Sequence, residues 1–167
     1  MNKKFIFFFL ATLSSTTIIL AKKTSLHLAS FYGNAALLQT LINRQIYDIE
    51  EQDDYGQTPL HYAALFGHLD CLKFLIHCRA TIDLQDNKLW TPLHHAARCG
   101  HLECVQYLVE HSNANIYAKT NKSKTPIDVA REIFKSTRLA KIKTIQYLKT
   151  IEQVRQETQE LMDIDIS

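Results

Sequence analysis

The chain has 167 residues, 46% of them hydrophobic and 22% charged. That is enough for one domain, with the apolar share ordinary for a folded protein. The formal net charge of +2 exerts no strong pull on a polyanion, which argues against nucleic acid as a partner.

Lys3 and Lys4 precede an apolar run from Phe5 to Leu13; Ser14 to Thr17 and then Ile18-Ile19-Leu20-Ala21 follow, and Lys22-Lys23 close the segment. A short basic start, an apolar stretch and a small residue near the end describe a secretory signal peptide, with cleavage expected after Ala21. At about 17 residues the stretch also reaches the lower limit for a membrane-spanning helix. A retained anchor over residues 5–21 and a buried flank are therefore the alternatives.

Thr24-Ser25-Leu26-His27-Leu28-Ala29-Ser30 comes next, then Gly33 and the apolar set Leu37-Leu38-Gln39-Thr40-Leu41-Ile42. The same order returns as Thr58-Pro59-Leu60-His61-Tyr62-Ala63-Ala64, Gly67-His68-Leu69 and Cys71 to Ile76. It returns again as Thr91-Pro92-Leu93-His94-His95-Ala96-Ala97, Gly100-His101-Leu102 and Cys104 to Val109. A fourth copy opens with Thr125-Pro126-Ile127-Asp128-Val129-Ala130, and Ile145-Gln146-Tyr147-Leu148 reproduces Val105-Gln106-Tyr107-Leu108 after extra residues near Phe134 to Ala140. A fixed period of about 33 residues marks stacked supersecondary units.

Each motif position has a physical reason. Thr caps a helix N-terminus, and Pro suits the first helical position, where its missing N–H would be unpaired anyway. Leu60 and Leu93 face the core, and the paired alanines keep the helix thin enough for close stacking. Gly67 and Gly100 take the left-handed conformation that ends a short helix. The unit is helix, turn, helix, loop. The glycine suited to the turn after the second helix is Arg79 in the second unit and Asn113 in the third. The loop glycine present as Gly56 becomes Leu89 and Ser123.

Thr-Pro-Leu-His-x-Ala-Ala followed by Gly-His resembles the ankyrin repeat. The resemblance implies an all-α solenoid over residues 22–149, with repeats near 24–53, 54–86, 87–120 and 121–149, and a polar tail over 150–167. It implies that His27, His61 and His94 hydrogen-bond between adjacent repeats, and that His68 and His101 lie at the turn between helices. It further implies protein–protein recognition through a concave face and loop tips. The residues at those places are Phe31, Tyr32, Leu65, Phe66 and Arg98 on the first helices, and Tyr55, Gln57, Lys88 and Trp90 on the loops. They form an aromatic and aliphatic stripe that turns basic at Lys122 and Lys124, and contiguous exposed aromatics are typical anchors.

The other chemistries are weak. Cys71 and Cys104 occupy equivalent places in successive repeats, about 10 Å apart, beyond the roughly 4.4–6.8 Å of a disulfide. They read as free thiols in a core. The eight histidines show no zinc spacing, so no metal and no cofactor is expected. No phosphate loop, nucleophile elbow or His-Glu-x-x-His is present, so neither catalysis nor a small-molecule substrate is expected. The expectation is an exported, non-catalytic binder of a protein partner. The alternative is a cytosolic or membrane-tethered adaptor that keeps residues 5–21.

Overall fold

The computed structural model describes residues 25–45, 47–132 and 138–165, and among these all regular structure is helical. The expected signal segment, and most of the extra stretch near Phe134 to Ala140, lie outside them. Residues 25–31 form helix α1 and Ala35–Asn43 form α2. The pairs α3 (Pro59–Phe66) with α4 (Leu69–His77) and α5 (Pro92–Cys99) with α6 (Leu102–His111) follow. The last pair is α7 (Pro126–Glu132) and the long α8 (Arg138–Asp165), which carries the polar stretch beyond residue 150 as helix.

First helices pack on first helices, α3 on α5 and α5 on α7, while α2, α4, α6 and α8 stack behind them. The sequence makes this possible at two places in every unit. Ala29, Ala63, Ala96 and Ala130 are all buried where first helices meet, and a larger side chain there would hold them apart. Leu41, Leu75, Leu108 and Leu148 recur one layer behind and are equally buried. Cys71 and Cys104 are fully buried core residues, and all four cysteines are free thiols.

The Gly-His pair has a double role. Gly67 and Gly100 end their helices at φ 73° and 79°. A Cβ on Gly33 would run into the ring of His68, and one on Gly67 into His101. Each of these imidazoles sits on the glycine of the preceding repeat and reaches that repeat's first helix, His68 Nε2 to the Phe31 carbonyl at 2.9 Å and His101 Nε2 to the Leu65 carbonyl at 3.1 Å. Over Gly100 the stem of Lys141 takes that place.

The turns keep their geometry where glycine is missing. Gln45, Arg79 and Asn113 all have positive φ after their second helices, and Leu89 (φ 59°) and Ser123 (φ 57°) match Gly56 (φ 75°) in the loops. The loop closes the same way each time. Asp53 Oδ1 accepts from the N–H groups of Tyr55 and Gln57, Asp86 Oδ1 from those of Lys88 and Trp90, and Thr120 Oγ1 from those of Lys122 and Lys124. At Leu89 and Ser123 those bonds hold a left-handed residue that its own Cβ disfavours by roughly 1–2 kcal/mol.

Gly56 and Leu89 should therefore respond oppositely to exchange. A Cβ on Gly56 would stand 2.8 Å from the backbone nitrogen of Asn87, so Gly56→Ala should cost about 1–2 kcal/mol or more from steric conflict and left-handed strain. Leu89 is exposed, so Leu89→Gly relieves strain at little packing loss, a gain of up to about 1 kcal/mol after unfolded-chain entropy. Urea denaturation midpoints check both, and shifts of the same sign would contradict this account of the loops.

Candidate functional site

The loops that carry the candidate site are fastened by imidazoles. His61 Nδ1 accepts from the Thr58 N–H at 3.1 Å and lies 2.9 Å from the Thr58 hydroxyl, while His61 Nε2 lies 3.1 Å from the Trp90 carbonyl of the next loop. A carbonyl can only accept, so Nε2 carries the proton. His94 repeats this with Thr91 and the Lys124 carbonyl, and His27 reaches the Gln57 carbonyl at 2.9 Å. Adjacent loop tips are tied further by single backbone bonds, Asn87 N–H to Tyr55 and Asn121 N–H to Lys88. In the fourth unit Asp128 accepts from the Thr125 N–H and hydroxyl. A carboxylate cannot donate onward, so the ladder ends where the motif changes.

Burial, and then the neighbouring His95, push His61 down to about 4; burial chiefly does the same to His94, also to about 4. Both rings are neutral in the folded protein near neutral pH.

The first-helix residues and loop tips named from the sequence lie next to one another. Phe31 and Phe66 meet edge to face at 4.4 Å, with Tyr32 at 4.9 Å and Tyr62 at 6.4 Å from Phe31. Phe31 and Phe66 are only 37% and 39% exposed, so they pack on each other and still present surface; Tyr55 and Tyr32 are about 70% and 71% exposed. Leu65 and Gln57 are half-buried and Lys88 and Arg98 exposed. Trp90 differs most from its expected exposure. It is half-buried, with its indole 5.1 Å from the His95 ring and the Arg98 guanidinium 5.3 Å above it. Its ring contacts are with the first helix of its own repeat.

Two hollows flank Trp90. One of about 400 Å³ is lined by Tyr55, Tyr62, Leu65, Phe66 and Trp90 among others. The second, about 450 Å³, is lined by Lys88, Trp90, Arg98, Lys122, Lys124 and Val129 among others. Sequence reasoning missed the column between helices and loops: Leu28, Tyr62, His95 and Val129, the residue after each motif His or Asp. Tyr62 stands four residues before Phe66, one helical turn, and that spacing was the available signal.

His95 also holds a buried pair that the sequence reading lacks. Its Nε2 lies 3.0 Å from Asp86 Oδ2, and both side chains are nearly inaccessible. Burial alone would raise the Asp86 carboxyl; His95 and the backbone N–H groups of Trp90 and Lys88 outweigh it and hold it down to about 2. The equivalent pair one repeat earlier is Asp53 with the Tyr62 hydroxyl, at 2.8 Å. Acid and partner lie nine residues apart in both repeats, joining loop to helix. Among the described residues no group of three or more His, Cys, Asp or Glu could hold a metal ion, and no helix is long and apolar enough to cross a membrane.

A family model for ankyrin repeats matches this chain over residues 5–86, 26–120 and 79–142. The chain belongs to the ankyrin-repeat family, whose stacked units generally serve as protein-interaction modules. It is 41% identical over 68 residues to ankyrin repeat domain-containing protein 29 of Homo sapiens, an alignment covering 38% of this chain and 23% of that one. It is 37% identical over 62 residues to cortactin-binding protein 2 of Ornithorhynchus anatinus (37% of this chain, 4% of that one). It is 38% identical over 64 residues to ankyrin repeat protein nuc-2 of Neurospora crassa, covering 38% of this chain and 6% of that one. The chain thus matches under a quarter of the length of each of these relatives.

Acid should loosen the stack. With folded values lowered to about 4 from an ordinary 6.5, the unfolded chain binds protons on His61 and His94 that the folded chain refuses. Their stabilisation is complete above about pH 6.5 and is lost as pH falls toward 4, roughly 3 kcal/mol for each ring. Urea midpoints should fall steadily from about pH 7 to 4.5, and His94→Gln, less stable at the start, should lose less over that interval. Equal midpoints at the two pH values would show that the folded rings accept protons freely.

Proposed function

We propose that this protein is an exported, non-catalytic binding module that holds a protein partner against its concave face and loop tips. The observation that carries this reading is the Phe31–Phe66–Trp90–Arg98 surface. Partly exposed rings and a stacked guanidinium follow one another along one face of the stack, and Trp, Tyr and Arg dominate interface energetics. The rings are pre-placed by helix packing, so little side-chain freedom remains to be lost on binding. Family membership supports the same role, and cortactin-binding protein 2 is, by its name, a binder of another protein.

Export rests on the basic, apolar and small order of Lys3-Lys4, Phe5 to Leu20 and Ala21. One reading competes: the family match begins at residue 5, and Leu37 is 44% exposed although its counterparts Cys71 and Cys104 are buried. Both observations favour retention of the segment against the first repeat, in an adaptor that is not processed. Mass analysis of the native protein decides between them. A mature chain beginning at Lys22 in the culture medium supports export, and an intact Met1 on a cell-associated protein supports retention.

Partner capture tests the face. Trp90→Ala or Phe66→Ala should weaken it about thirtyfold, a loss of about 2 kcal/mol, typical of an interface centre. The melting temperature should change little for Phe66→Ala and modestly for Trp90→Ala. Capture undiminished in both variants would remove the concave face from the mechanism.

A further inference from the structure

Trp90 and Arg98, with Lys88, form a wall shared by two hollows that differ in the rest of their lining. On the side of the second repeat the lining adds the rings of Tyr55, Tyr62 and Phe66 and the side chain of Leu65. On the side of the fourth repeat it is cationic: Lys88, Arg98, Lys122 and Lys124 surround a floor of Trp90 and Val129. The single carboxylate of that lining, Glu132, is 3.1 Å from Lys124. Among the described residues no carboxylate bridges Lys88, Arg98 or Lys122. A chain of net charge +2 thus gathers three unneutralised cations around one concavity, where low-dielectric walls focus their field.

We propose that the partner segment is an extended, acidic stretch of protein, with a bulky apolar side chain in the hollow beside Phe66 and carboxylates between Lys88, Arg98 and Lys122. This rests on the proposed binding role of the face and adds the chemistry of what it binds. Arg98 lies over the indole and so offers a pre-oriented fork to one carboxylate. The two lysines, on flexible stems at the loop tips, accept acids at more variable positions. Successive repeats lie about 10 Å apart and an extended chain advances about 3.3 Å per residue, so apolar anchor and first acid are separated by about three residues. A single-stranded nucleic acid needs open ring faces for its bases. Here Arg98 already covers the indole, and Phe31 and Phe66 meet each other edge to face.

Selection of a phage-displayed random peptide library on the full chain tests this. Leu, Phe, Trp or Met should be enriched together with Asp or Glu about three residues away. In fluorescence anisotropy, the selected peptide should bind at least about tenfold more tightly than its Asn/Gln counterpart. That advantage should shrink as ionic strength rises from about 0.05 to 0.5 M. It should vanish in Lys88→Glu/Lys122→Glu and survive in Lys143→Glu, an exposed charge reversal on α8 outside both hollows. Enrichment of neutral or basic peptides whose binding falls in Phe66→Ala would overturn the acidic partner while leaving the face as the binding site. No enrichment, or binding indifferent to both Phe66→Ala and Trp90→Ala, would overturn the reading of the face itself. Tighter binding of a single-stranded oligouridylate than of the selected peptide would overturn the proposal in favour of nucleic acid.

Discussion

An imidazole with one proton, placed between two repeats, is the interaction on which this molecule depends. Nδ1 must accept and Nε2 must donate, so a neutral ring joins the threonine cap of one unit to the loop carbonyl of the next. His61 and His94 do both at about 3 Å. No other side chain of that size supplies one acceptor and one donor on opposite edges of a flat ring. Each bond is worth only about 1 kcal/mol net. Loss of a ring would in addition strand a buried threonine N–H and a loop carbonyl, and unsatisfied groups cost more than the bond itself gave. The motif is therefore stricter about this histidine than hydrophobic packing alone would require.

The binding face follows from the same bonds. The carbonyl that His61 holds belongs to Trp90, whose side chain lies between the two hollows. One residue thus serves the stack with its backbone and the surface with its ring. Asp86 adds a second anchor, gripping the Lys88 and Trp90 N–H groups with one oxygen and His95 with the other. A loop fixed at so many points presents its side chains at little entropic cost, which is what a binding surface on loops needs.

The fold was legible in the sequence because its determinants are local and periodic. Thr91-Pro92, Ala96-Ala97 and Gly100-His101 each state a cap, a close contact or a turn within a few residues, and the period of about 33 then stacks them. The left-handed turn at Asn113 was legible for the same reason. The site was legible only in part. Offsets from Thr58 and Thr91 brought Phe66, Arg98 and Trp90 onto one face. They could not show that the indole turns inward onto His95, because that depends on Asp86 drawing the loop back toward its helix. Tyr62 and His95 escaped for a related reason: they lie one turn from the named positions, where burial and exposure are decided by the neighbouring loop. Leu89 and Ser123 hid the loop geometry, since the conformation is imposed there by Asp86 and Thr120 and is not a preference of the residues themselves.

The most direct measurement of this account is the protonation state of the bridging imidazoles in solution. Long-range proton–nitrogen NMR correlations of the folded protein near neutral pH report which ring nitrogen carries the hydrogen. The neutral Nε2–H form is predicted for His61 and His94, with the Nε2 hydrogen protected from solvent exchange. Nδ1–H rings, or rings that exchange rapidly and titrate as free histidines do, would contradict the ladder and with it the fixed loops on which the binding face stands.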